Sequence, residues 1–96
     1  MELTLFLKNE YFKQFEQGIK TAEYRTRSKH WMRYIEGKGI EKLTVIDTFK
    51  KNAKRLTFPV LCINIVNIYN PISSKNEEMY EILVKNERAK TNPNRN

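Results

Sequence analysis

The chain has only one cysteine, one histidine, three glycines and three prolines in 96 residues. Cys62 alone cannot form an internal disulfide, and it sits in an apolar run where a lone thiol reads as an inert core side chain. His30 lies 32 positions before it, a spacing that fits no zinc pattern, so neither a metal nor a cofactor is expected. So few glycines and prolines exclude collagen-like and low-complexity classes. No apolar run approaches the roughly 20 residues that span a bilayer. Met1-Glu2-Leu3-Thr4 does not open like a secretory leader. A soluble, cytoplasmic chain with no membrane partner is the expectation.

What the sequence does have is charge in one place. The net charge is +7, and residues 20–55 hold all of it: eleven lysines and arginines against four acids. Outside that segment cations and acids balance at seven each. A cationic excess gathered around one region is the footprint of a polyanion binder, whereas a merely solubilising surface spreads its charge.

The length and the 40% hydrophobic content suit one domain, taken as residues 1–87, followed by a polar tail over 88–96. Leu3, Leu5 and Leu7 alternate with polar neighbours and predict a strand. Asn9 is placed to cap a helix carrying Phe12, Phe15 and Ile19, which Gly18 would end. Thr21, Glu23, Arg25 and Arg27 then share one face of a second strand, and Ala22, Tyr24 and Thr26 the other. Ser28 caps a short second helix with Trp31, Met32 and Ile35 as its apolar stripe. Residues 43–49 and 56–68 read as a hairpin through the turn Lys50-Lys51-Asn52-Ala53-Lys54-Arg55, with Pro59 marking an edge or a bulge. Ser74 and Glu77 fit a capping box, and Met79, Ile82 and Leu83 predict a third helix behind it. The predicted order is β-α-β-α-β-β-α, an α+β fold built as a small mixed barrel flanked by helices.

The octapeptide Gly18-Ile19-Lys20-Thr21-Ala22-Glu23-Tyr24-Arg25 carries the functional signal. A strand face bearing hydroxyl, carboxylate and guanidinium groups is no core face; it meets solvent or lines a polar cleft. Helix, Gly-x-Lys-Thr-x-Glu-x-Arg, strand, then a tryptophan-bearing helix and a basic hairpin: that order resembles the small phage-type members of the ASCH family. The likeness covers residues 3 to 68. It implies a PUA-like β-barrel with a central cleft lined by Lys20, Glu23 and Arg25. Such barrels close on a strand after their last helix; residues 87–96 carry no strand pattern, so the closing strand is expected to be missing.

RNA or a nucleotide is the partner this implies, and monomer and homodimer both remain open. Binding residues expected for it are Lys20, Thr21, Glu23, Arg25, Arg27, Lys29, Trp31, Arg33, Lys50, Lys51, Lys54 and Arg55. His30, Trp31, Tyr34 and Tyr24 lie among Arg27, Lys29 and Arg33, the mixture of aromatics and cations that holds single-stranded nucleic acid by stacking and phosphate contact. One branch of the family hydrolyses the acetyl amide of N4-acetylcytidine with a lysine and a threonine three residues on. Lys20 matches the first, but Glu23 stands at the second, and a carboxylate is a poor nucleophile towards an amide. Lys20 and Glu23 are therefore the catalytic candidates of an alternative hydrolase reading. Two further alternatives are a ribonuclease and a small interaction or inhibitor protein of a mobile element.

Overall fold

The computed structural model describes residues 1–48 and 51–88. Its elements run β1 (Glu2–Leu7), α1 (Asn9–Glu16), β2 (Ala22–Thr26), α2 (Lys29–Ile35), β3 (Lys42–Asp47), β4 (Arg55–Asn70) and β5 (Lys75–Val84). The five strands form one mixed sheet in the order β1-β3-β4-β5-β2. β1 and β3 are parallel, and the other neighbours are antiparallel. The architecture is α+β, as expected. The sheet is open: its two ends, β1 and β2, share no backbone ladder among the described residues.

β4 explains how two half-sheets become one. Its sixteen residues are too many for a single partner. The first part, up to Pro59, pairs with β3, and from Val60 onward it pairs with β5. Leu61 is the extra residue at the switch, a bulge beside the proline, which lies in a central strand and not at an edge. Bulges sharpen the local twist, so the sheet turns there from one half to the other.

The first half of the chain follows its local signals. Leu3, Leu5 and Leu7 all point into the core. α1 buries Phe12 and Phe15 against them, and Phe15 stacks on Phe58 with ring centroids 5.4 Å apart. Fully burying a ring such as Phe15 contributes about 1.5–3 kcal/mol. Gly18 ends the helix in the left-handed conformation (φ 79°). There Gly18 N–H donates to Phe15 O at 3.1 Å and Ile19 N–H to Gln14 O at 2.9 Å, the paired bonds of a Schellman turn. Ser28 caps α2, accepting from Trp31 N–H at 3.3 Å.

Four expectations fail. Asn9 does not cap α1, where the cap residue is Lys8; its amide donates instead to the buried Asp47 at 2.7 Å, tying α1 to β3. Ile19 lies beyond the helix and is exposed. Cys62 is exposed, not in the core, because it shares the outer face of β4 with Asn64, while Ile63 between them turns to the core. The third helix is the strand β5, so the observed order is β-α-β-α-β-β-β. Ser74 is no helix cap: it sits at φ 59° in the β4–β5 turn with its N–H on Asn70 O. Tyr80, Ile82 and Val84 are buried at a period of two, and β4 and β2 supply ladders on both sides of them. Pairing on two edges outweighs a local helix signal. Lys50 and the tail from residue 89 lie outside the described residues.

Candidate functional site

The two ends of the sheet, unpaired by backbone, face each other through side chains. β2 carries Glu23 and Arg25 on its inner face, in register with Ile82 and Tyr80 of β5. Arg25 Nη2 reaches 3.4 Å to the carbonyl of Phe6 on β1. The space between the two strands is a groove of about 490 Å³, bounded by Phe6 and Lys8, by Tyr11 of α1, by Trp31 of α2 and by Ile72 of the β4–β5 turn. A smaller recess lined by Tyr11, Lys20, Glu23 and Tyr24 adjoins it.

Glu23 is the centre of this site. It is only 8% exposed, and its carboxylate bridges two cations. Lys20 Nζ lies 3.4 Å from Oε1, while Arg25 presents both Nε (3.2 Å) and Nη2 (3.1 Å) to Oε2. One acid against two cations leaves the cluster with a net positive charge. Among the described residues no hydrogen bond engages Arg25 Nη1, so the guanidinium keeps a donor for an incoming anion. The cations are also held by rings. Arg25 sits over Trp31 at 5.2 Å, and the Lys20 ammonium is 5.7 Å from the centroids of both Tyr11 and Phe15.

The loop that delivers Lys20 is pinned from the far end of the chain. Asn86, 5% exposed, donates to Phe15 O at 2.9 Å and to Lys20 O at 3.0 Å, and accepts from Arg88 N–H. Sequence reasoning passed over Asn86. No local pattern marks it, because its two acceptors are 71 and 66 residues away.

The other expected residues scatter. Thr21 contributes a backbone carbonyl to Val84 N–H of β5 at 3.0 Å. Arg27 is engaged by two acids, Glu36 at 2.8 Å and Glu78 at 3.1 Å, and thereby ties the end of α2 to β5. Tyr80 donates to the same Glu36; burial and then that bond push its phenol up to about 12. Tyr24 borders the groove and the recess, and its hydroxyl donates to Glu81 at 2.8 Å, a bond that raises its own pKa and lowers that of Glu81. Lys54 pairs with Glu16 at 2.7 Å and holds that carboxyl below its ordinary range. Lys51 and Lys54 line a separate cavity with Asn9, Lys13 and Asp47, on another flank of α1 from Tyr11, and Arg55 opens β4 beside them. The described residues of the basic turn and the groove thus share no wall.

Lys29 and Arg33 stand exposed on α2. Next to the groove, α2 and β1 enclose a second cavity of about 620 Å³, lined by Phe6, His30, Trp31, Tyr34 and the cations Arg33 and Lys38 among others. Among the described residues, no three His, Cys, Asp or Glu side chains gather as a metal-binding group, and no helix is long and apolar enough to cross a membrane. No family model, curated protein or solved structure matches the chain.

Proposed function

We propose that the groove binds single-stranded RNA and holds one nucleotide at Lys20, Glu23 and Arg25. The observation that carries this is the buried carboxylate of Glu23 clamped between two cations inside a groove with aromatic walls. Glu23 supplies an acceptor for the N–H groups of a base or a ribose hydroxyl. Lys20 and the spare donor of Arg25 supply phosphate contacts, and Tyr11 and Trp31 supply flat apolar surface. The +7 charge, all of it within residues 20–55, favours a polyanion as the ligand. The resemblance to ASCH domains supports the same reading. On it the fold is a PUA-like barrel whose gap between β1 and β2 is spanned by the Arg25 side chain in place of a ladder.

Cations placed to meet phosphates around the two spaces are Lys20, Arg25, Lys29, Arg33 and Lys38: Lys20 and Arg25 share one carboxylate, whereas Arg27 faces two acids and Lys54 has Glu16 to itself. About four phosphate contacts on a single strand, at about 0.7 counterions released for each, give a log–log salt slope near −3. Fluorescence anisotropy with a labelled ten-nucleotide RNA across a salt series measures it. Arg25→Ala should weaken binding about tenfold, the size expected when a charged hydrogen-bonding group is lost. No binding by the parent protein at low salt refutes the RNA reading.

A further inference from the structure

We propose that the cavity between α2 and β1 is a second nucleotide subsite, which takes the neighbouring base of the strand held in the groove; it rests on the RNA reading above. Three observations converge. The two spaces are contiguous, for Phe6 and Trp31 line both of them. The second is the larger, at about 620 Å³ against about 490 Å³, and Phe6, His30, Trp31 and Tyr34 give it ring surface beside Met1, Leu3 and Thr4. His30, Trp31 and Tyr34 cluster along α2, with centroids 4.8 Å apart for the first pair and 6.1 Å for Trp31 and Tyr34. Phe6 remains 62% exposed and Tyr34 49%, large apolar surface left side by side in water.

Charge selects the occupant. Arg33 and Lys38 stand on the rim against the single acid Glu2. A second copy of this chain would bring the same excess of cations to that rim, whereas a nucleic-acid strand brings a phosphate for each base. Arg25, seated over Trp31 and bonded to Glu23, stands where the first nucleotide gives way to the second. Stacking on rings tolerates any base, so this subsite adds affinity and chain length preference, with base choice left to Glu23.

Calorimetric titration with adenosine 5′-monophosphate and with the adenylate trinucleotide tests the proposal. The parent protein should bind the trinucleotide about tenfold tighter or more than the monophosphate, the scale of one stacked base. In a His30→Ala, Tyr34→Ala double variant that margin should shrink towards parity while monophosphate affinity holds. If the margin survives in the double variant and Arg25→Ala still weakens binding about tenfold, the subsite is refuted and the RNA reading stands. If the parent binds neither probe, both fall together. Should the double variant melt early, the parent decides the matter alone. Trp31 is the only tryptophan, so its emission must be quenched further by the trinucleotide than by the monophosphate. Equal quenching overturns the proposal.

Discussion

Replacing Asn86 should damage the fold and the groove together, though it lies near the end of the described chain. Its amide makes two donations from a site only 5% exposed. In Asn86→Ala, Phe15 O keeps Gly18 N–H as a partner, so that loss is one ordinary hydrogen bond, about 0.5–1.5 kcal/mol. Lys20 O loses the only donor seen for it among the described residues, and a stranded acceptor costs about 1–3 kcal/mol, towards the low end where, as here, the site is only partly buried. Together the loss is about 1.5–4.5 kcal/mol, and the lower half, about 1.5–3 kcal/mol, applies because Lys20 O is only partly buried. For a domain of this size each kcal/mol moves Tm by about 4–8 °C, so a fall of about 6–24 °C is expected. Asn86→Asp keeps the shape but turns both donors into acceptors facing carbonyls, so it should melt no higher than the alanine variant. Circular dichroism melts measure both. Because the Lys20 loop is released, RNA binding at a temperature where the variant is folded should weaken too. An Asn86→Ala protein that melts within about 2 °C of the parent refutes the reasoning, since a decrement well below 1 kcal/mol would mean that these bonds carry no net weight.

Acid should destabilise the fold. Glu36, through its bonds from Tyr80 and then Arg27, Glu81 through Tyr24 and then Asn64, and Glu16 through Lys54 all have folded pKa values below the ordinary 4.5. Below pH 4.5 the unfolded chain therefore takes up protons before the folded one does, and stability present above that pH is lost as pH falls through the folded values. Urea midpoints that stay flat from pH 7 to 3, or that fall as steeply in Glu36→Gln, contradict this. At the alkaline end Tyr80 acts with opposite sign: its phenol, pushed up to about 12, adds stability that is full below pH 10 and is lost as pH rises through 12. Cys62, exposed on β4, should react with a thiol reagent in the native protein within minutes, and Cys62→Ser should change stability by less than about 0.5 kcal/mol. A thiol that reacts only after denaturant is added places that strand segment elsewhere.

How much of this was legible in the sequence follows from how far each signal reaches. Gly18, Ser28 and the alternation of Leu3, Leu5 and Leu7 act within a turn or a strand, and the structure bears them out. Segment 75–84 satisfied two local patterns at once. Ser74, Glu77, Met79, Ile82 and Leu83 spelled a capped helix, while Tyr80, Ile82 and Val84 spelled a strand, and the ladders of β4 and β2 decided between them. Cys62 looked interior because its neighbours are apolar. Yet apolar runs are buried only where something packs on them, and Leu61, Ile65 and Tyr69 of the same strand are also exposed.

The site was legible in the same proportion. Lys20, Glu23 and Arg25 are close in the chain, and strand periodicity alone puts the last two on one face. Sorting the remaining cations required the fold, because a cation matched by a carboxylate of its own has less charge left for a ligand than Lys20 and Arg25, which share the single Glu23. Arg27 is taken by Glu78, 51 residues on, and Lys54 by Glu16, 38 residues back. Neither partner can be inferred from spacing. Within the cationic segment, Arg27 and Lys54 thus fasten α2 and the basic turn to their neighbours, while Arg25 lines the groove and Arg33 and Lys38 line the cavity beside it. On the proposed reading the cations around the groove and that cavity, and not the paired Lys54, answer to phosphate. If RNA binding proves as sensitive to Lys54→Ala as to Arg25→Ala, that division is wrong, and the basic turn belongs to the interface after all.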